Sequence, residues 1–298
     1  PVMQTRRRFL AQSAAASAAL LLAPRSLRAS DSRIDIRLDE PIATIAPEIY
    51  GHFAEHLGGV VYDGIWVGRD SRIPNVDGIR KRCVDDMKRL GAPNLRWPGG
   101  CFADGYHWRD GIGPASARPR TYNFWEPRMP RSVRATETNH FGVHEFMRLC
   151  RLVGAEPYVA ANVGSGSPRE FHDWVSYCNA PAGTLSLADE RARNGDPEPF
   201  GVKYWGIGNE SWGCGGNMSG GEYATEYRKY VAQIPEYVRP FLVATGPRGH
   251  SADGDLNWTA GFFAGLSGGR GLGVRVDGFA LHYYTDFRQT SEDGARFD

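Results

Sequence analysis

The sequence predicts an α/β protein whose parallel strands belong to a (β/α)8 TIM barrel, truncated after about strand six. Three observations carry that prediction. Short apolar segments alternate with amphipathic helical ones along the chain, which is the pattern of a parallel sheet covered by helices. No Gly-x-Gly-x-x-Gly comes after the first strand, which weakens an open dinucleotide-binding sheet. Polar residues recur where the strands end, and barrels concentrate function at that face.

"EIYGHFAEHL" supplies strand one. Asp77 is placed to cap a helix carrying Ile79, Cys83, Met87 and Leu90 on one face, and Gly91 stops it before strand two, "NLRWPGG". Val143, Phe146, Met147, Cys150 and Val153 form a second apolar face, ended by Gly154 and leading into strand three, "EPYVAANVG". The helix "REFHDWVSYCN" leads through a polar loop to strand four, "VKYWGIGNE". "GEYATEYRKYVAQIPEYV" leads to strand five, "FLVATGP", and "VDGFALHYY" is strand six, giving six strands joined by five helical segments.

Composition limits what the chain can be. With 298 residues, 41% of them hydrophobic, it can bury one large core. Residues 1 to 30 hold five arginines (Arg6, Arg7, Arg8, Arg25, Arg28) and no acid, so the rest carries 30 basic against 34 acidic residues, a net of −4. A phosphate-binding face needs a basic excess, so nucleic acid is not expected as a partner. The arginines precede an apolar run from Ala14 to Ala23 and small residues at Ala29 and Ser30, which reads as a twin-arginine signal peptide over residues 1–29, with export to the periplasm or beyond. A basic arm without an export role is the alternative. The apolar run is too short for a permanent span, and nothing later suggests a membrane segment. Five widely spaced cysteines form no CxxC pair or Cys/His cluster, so no metal is expected. Cys83 and Cys150 belong to apolar helix faces. Cys101 and Cys214 lie just after strands two and four, and could form a disulfide after export if their Cα atoms lie about 4.4 to 6.8 Å apart.

The candidate chemistry centres on "VKYWGIGNESWGCGGNM", where a strand runs into a glycine-rich loop. Glu210 at a barrel rim, flanked by Trp205 and Trp212, suits a general acid: tryptophans stack on sugar faces and limit water, and a carboxyl kept from water holds its proton more tightly. Asn209 beside it can hydrogen-bond a sugar hydroxyl. An asparagine and glutamate after a strand also serve simply to cap the next helix. Glu55, Arg96, Asn162, His282 and Tyr284 fall at the ends of other strands, and Glu55, Arg96, Asn209, Glu210 and Tyr284 should converge on one concave pocket there.

The blocks "GHFAEHLGGVVYDGIWVG", "LRWPGGCFADGYHWRDGIGP", "ETNHFGVHEFMRLC", "VKYWGIGNESWGCGGNM" and "DGFALHYYT" resemble, in order, those of the α-L-arabinofuranosidases of glycoside hydrolase family 51. The resemblance runs from about Ile34 to the end. It implies a retaining hydrolase without a cofactor, releasing terminal non-reducing α-L-arabinofuranosyl groups from arabinan, arabinoxylan or related oligosaccharides. It gives Glu210 the acid/base role and makes Asn209, Glu55 and Arg96 sugar contacts. A tyrosine near the end of strand six belongs beside the nucleophile; strand alternation favours Tyr284 over Tyr283, on the face of His282. Many members carry a sugar-contacting asparagine after "PGG" where this chain has Cys101, as in a related subgroup.

The family nucleophile is a glutamate on strand seven, so the chain is expected to be an inactive fragment without its nucleophile or the C-terminal β-sandwich. Residues 30–48 would then be a strand whose partner is that sandwich, and residues 49–298 a partial catalytic barrel. A homo-oligomeric full-length protein is compatible with the resemblance. Two other readings stay open: a non-catalytic carbohydrate-binding protein, and another retaining barrel glycosidase such as a xylosidase or endoglucanase. His52 and His56 flank the expected pocket as scaffold. Trp97 and Trp108 are expected in the core, Trp125 is a weaker candidate for a sugar platform, and Asp104, Asp110 and Glu126 are expected to be solvated or structural.

Overall fold

The computed structural model describes residues 35–125, 136–249, 252–267 and 274–282. The chain divides into two units, residues 1–45 and 46–298. In the first, residues 35–45 form no strand, and Ile36, Leu38, Ile42 and Ile45 are exposed. The strand expected over residues 30–48 is therefore not formed among its described residues, which have no neighbouring strand to complete a ladder. Pro47–Tyr50, at the start of the second unit, is a 3-10 turn.

The second unit is built on one parallel sheet of six strands: β1 (His52–Phe53), β2 (Asn94–Trp97), β3 (Glu156–Ala161), β4 (Tyr204–Ile207), β5 (Phe241–Thr245) and β6 (Gly278–Ala280). The strands pair in chain order, each with the next. An open doubly wound sheet reverses direction at a switch point; uninterrupted order is the winding of a barrel, here a partial one.

The register explains which residues face inward. Phe53, Arg96, Tyr158, Tyr204 and Phe241 are successive cross-strand partners and share one face. The Arg96 guanidinium lies 4.6 Å from the Phe53 ring centre and 5.6 Å from that of Tyr158, while Tyr204 and Phe241 meet edge to face at 5.5 Å. Trp97, Val159, Trp205 and Leu242 occupy the opposite face, buried against the helices.

Among the described residues six α-helices clothe that face or its surroundings: α1 (Lys81–Leu90), α2 (Val143–Val153), α3 (Pro168–Asn179), α4 (Ser186–Arg193), α5 (Gly220–Val231) and α6 (Ala252–Ser267). Gly91 and Gly154 end α1 and α2 with φ of 66° and 76°, as the sequence predicts. Three local expectations need correction. Asp77 does not cap α1; it sits at φ 52° in the turn between the small antiparallel strands Asn75–Val76 and Ile79–Arg80. The helix beginning at Gly220 stops at Val231 rather than Val238, because Pro235 has no N–H to continue the ladder. The polar loop after α3 contains α4, which is held from inside: Arg191 is fully buried and donates to the carbonyls of Tyr177, Asp196 and Pro197.

The core is aromatic. Trp97, Trp108, Trp174, Trp205, Phe146 and Phe171 are all under 4% exposed, and Trp97 stacks on Phe146 at 5.1 Å. Cys150 is buried and Cys83 half-buried, in keeping with their helix positions. No helix among the described residues is long and apolar enough to cross a membrane.

Candidate active site

Parallel strands deliver the residues at their C-terminal ends to one edge of the sheet. Glu55 lies just past β1, Arg96 at the end of β2, Asn209 and Glu210 just past β4, and His282 just past β6. The structure joins most of them directly. Arg96 Nη2 donates to Asn209 Oδ1 at 2.9 Å, and both residues are buried. His282 Nδ1 lies 2.8 Å from Glu210 Oε1. Glu55 is close enough to Glu210 and Arg96 to feel both charges.

The β4 loop aims Glu210 by an unusual backbone path. Gly208 takes φ 83° and Glu210 itself φ 40°, a left-handed conformation that costs a glutamate of the order of 1 kcal/mol and persists only where surroundings enforce it. The enforcement is visible: the Glu210 carbonyl accepts from Gly213 and Gly215 N–H, and a Cβ on Gly215 would stand 2.0 Å from the Asn209 carbonyl oxygen. Only glycine fits there.

Cys101 and Cys214 are joined by a disulfide, with Cα atoms 5.6 Å apart. Their sulfurs lie 3.8 and 3.5 Å from Glu210 Oε2; a bridged sulfur has no hydrogen, so these are packing contacts, and Cys101 has no S–H to offer a sugar while bridged. Asn209 Nδ2 points at Cys214 Sγ from 3.5 Å. One carboxylate oxygen of Glu210 thus faces histidine and the other faces sulfur. The two sulfurs and a Glu210 oxygen lie within 4.8 Å of one another, but while the sulfurs are bridged they offer no thiolate to a metal.

Glu55 is fixed by the "PGG" turn. Its Oε1 accepts the Phe102 N–H at 3.1 Å, and Gly99 at φ 144° brings its backbone so close that a Cβ would stand 2.2 Å from Glu55 Cγ. Burial pushes the Glu55 carboxyl above the usual range, against the pull of the Phe102 and Gly100 amides and of Arg96, and the Glu210 charge adds to the rise.

Other expectations are redistributed. Trp205 is fully buried, because strand alternation turns it to the helix side, where its Nε1 donates to the Val202 carbonyl; it cannot stack on a ligand at the rim. Trp212 is half-buried beneath the Arg248 guanidinium, 5.6 Å from the ring centre. His52 is exposed on β1. His56 is core scaffold: it accepts from Trp97 Nε1 at 2.9 Å and pairs with Glu137 at 2.8 Å. Trp97 and Trp108 are core as expected. Trp125 is half-buried beside Phe124. Asn162 braces its own loop, accepting from Ser165 and Gly166 N–H. Tyr283, Tyr284 and Glu126 lie outside the described residues.

Asp104 is the residue whose importance the sequence hides. It is 6% exposed, its Oδ1 accepts the N–H groups of Val163 and Gly164, and burial pushes its pKa up to about 7 despite those bonds. It lies under the Glu210 loop, since a Cβ on Gly215 would come within 2.8 Å of Asp104 Oδ2. A lone aspartate in a polar loop carries no pattern that marks it as buried. A cavity of about 650 Å³ lies elsewhere, lined by Trp66, Arg118, His144 and Arg148 among others.

Comparison with known proteins gives the family. Residues 86–297 match the family model described as the alpha-L-arabinofuranosidase 1 domain. The intracellular exo-alpha-L-arabinofuranosidase of Bacteroides ovatus is 44% identical over 90% of this chain and 50% of its own length. Alpha-L-arabinofuranosidase C of Emericella nidulans is 42% identical over 60% of this chain and 34% of its own. Among solved structures, the GH51 arabinofuranosidase from Xanthomonas axonopodis pv. citri superposes with a TM-score of 0.70 at 43% identity, covering 77% of this chain and 45% of that one. The Thermotoga maritima alpha-L-arabinofuranosidase arabinose complex gives 0.60 at 41%, covering 66% and 40%.

The chain spans half or less of the length of these relatives. The expected signal peptide and export are corrected by the Bacteroides enzyme, which is intracellular while matching 90% of this chain. Arginines ahead of alanines and leucines record only an order of charge and hydropathy, which an N-terminal arm can share without being an export signal. A match across residues 86–297, together with the relatives at 41 to 44% identity, shows that the chain belongs to the α-L-arabinofuranosidases of glycoside hydrolase family 51.

Proposed function

We propose that the full-length protein is a retaining exo-acting α-L-arabinofuranosidase, releasing terminal non-reducing arabinofuranosyl groups from arabinan- or arabinoxylan-type chains. Glu210 is the acid/base. The observation that carries this reading is the enforced left-handed backbone at Glu210, which holds a carboxyl at the strand ends between His282 and the Cys101–Cys214 bridge. A rim carboxyl held by its loop in that way is positioned for proton transfer rather than for capping a helix; α5 is capped by Ser219 and Glu222 instead.

In the proposed cycle, Glu210 protonates the departing glycosidic oxygen while a second carboxylate attacks the anomeric carbon. Glu210 then takes a proton from the water that releases arabinose. Retention needs the two carboxyls about 5 to 5.5 Å apart on opposite faces of the sugar. Glu55 is not the proposed nucleophile: it is tied to the Phe102 amide and raised by burial, which suits a group that hydrogen-bonds sugar hydroxyls. The nucleophile is assigned to sequence outside the described residues, with Tyr284 beside it. Arg96 and Asn209 act as one unit, the guanidinium fixing the amide by its oxygen at the strand ends.

The test is an aryl-glycoside panel on the full-length protein. The α-L-arabinofuranoside should exceed the xyloside and glucoside in kcat/KM by about a hundredfold or more, since a site built to bond sugar hydroxyls rejects those that misplace them. Equal turnover of a xyloside would move the protein to another retaining glycosidase class. Binding without turnover of any glycoside would make it a carbohydrate-binding protein.

A further inference from the structure

We propose that, once its disulfide is reduced, the protein binds a thiophilic divalent cation, Zn2+, through Cys101, Cys214 and Glu210. With the bridge closed the sulfurs are bonded to each other and cannot both ligate; once it opens, each starts near the distance from Glu210 Oε2 that a shared ion would set. Zinc bound to thiolate at about 2.3 Å and carboxylate at about 2.0 to 2.2 Å in tetrahedral geometry sets sulfur and oxygen about 3.5 Å apart. The structure places Cys214 Sγ and Cys101 Sγ 3.5 and 3.8 Å from Glu210 Oε2.

The surroundings complete the ligand set. His282 holds the other carboxylate oxygen, Oε1, at 2.8 Å, so Oε2 is oriented toward the sulfurs in the manner of a hydrogen-bonded metal ligand. Asn209 Nδ2 is directed at Cys214 Sγ from 3.5 Å, and Arg96 holds the Asn209 amide by its oxygen, so a hydrogen-bond donor already faces one of the sulfurs. Three protein ligands leave a fourth position for water. All three are half-buried at the rim, so an ion can reach them. The free cysteines Cys83, Cys150 and Cys178 belong to no such group among the described residues.

The bridge must open first. A dithiol reductant attacks one sulfur, the Cys101–Cys214 bond breaks, and the second reductant thiol closes the reductant's own disulfide. The protein gains two electrons and two protons, and zinc displaces those protons as it binds the thiolates. On the reading of Glu210 as acid/base, zinc and proton transfer then compete for the same carboxyl, so a reducing, zinc-containing environment silences the site and oxidation protects it.

The experiment uses full-length protein, oxidised or reduced with dithiothreitol and freed of reductant without air. Zn2+ retained through gel filtration is measured, with the ultraviolet thiolate-to-metal absorption of Cd2+ as a second readout. Reduced wild type should retain at least about tenfold more zinc than the oxidised protein, and the Cys101→Ser/Cys214→Ser variant should fall to the oxidised level. Glu210→Gln should keep the thiolate absorption but release zinc about tenfold more readily. Reduced wild type retaining no more zinc than oxidised protein, a comparison that needs no variant to fold, would overturn the proposal, as would retention unchanged in the double serine variant. None of these readouts involves a glycoside, so a failure of the arabinofuranosidase reading leaves them intact.

Discussion

Asp104 ties the stability of the site to pH. Its pKa of about 7 in the folded state lies above the ~3.9 of an unfolded aspartate, so the native protein binds this proton more tightly than the unfolded chain does. Below about pH 4 the group is neutral in both states and has no effect; as pH rises from there toward 7 the unfolded state gains from ionisation first, and stability falls. Asp104→Asn keeps an oxygen for the Val163 and Gly164 amides and should flatten this part of the profile, raising stability at pH 8 by roughly 2–4 kcal/mol relative to pH 4. Thermal midpoints of the two proteins across that range check it; parallel profiles would show that Asp104 is ionised at low pH like a surface acid. Arg96→Lys should lower kcat/KM on an arabinofuranoside about 10- to 100-fold, because an ammonium cannot both bond Asn209 Oδ1 and lie flat on Phe53. Glu210, Arg96 and Asn209 were legible as residue types at strand ends. Asp104 was not, since nothing in its local sequence tells a buried carboxyl from a solvated one.

At the scale of elements, the glycine-rich loop after β4 is a rigid device rather than a slack one. Gly215→Ala would press a methyl group into the Asn209 carbonyl, so either the loop or the Glu210 backbone must move. The expected cost is about 1–3 kcal/mol in stability, with kcat falling more than KM rises, because the proton donor is displaced while Arg96 and Glu55 stay. Steady-state kinetics on a variant shown to be folded measures the split. Arg191→Met should unmoor α4, since the carbonyls of Tyr177, Asp196 and Pro197 lose their donor together; a loss of at least about 3 kcal/mol is expected from thermal unfolding. The strands and the principal helices were legible because apolar periodicity and helix-ending glycines record them directly. Helix α4 was not, because its buried residues are only Ala188 and Arg191, and a guanidinium serving backbone carbonyls leaves no hydropathy pattern. Trp205 misled for a related reason: adjacency to Glu210 in sequence is not adjacency in space when a strand turns alternate side chains to opposite faces.

For the molecule as a whole, chain-order pairing of six strands distinguishes a barrel from a doubly wound sheet, and the sequence anticipated it through the polar residues at successive strand ends. The Cys101–Cys214 contact, spanning 113 residues, became a disulfide expectation only because both ends were assigned to the same rim.

The central claim is that Glu210 is the proton donor, and the leaving-group dependence of its loss tests that most directly. On full-length protein, kcat/KM is measured for wild type and Glu210→Gln with two aryl α-L-arabinofuranosides, one whose phenol must be protonated to depart and one whose phenolate leaves unaided. The account predicts a loss of about 10²- to 10⁴-fold on the first and a far smaller loss on the second. Equal losses on both substrates, or none on either, would contradict it.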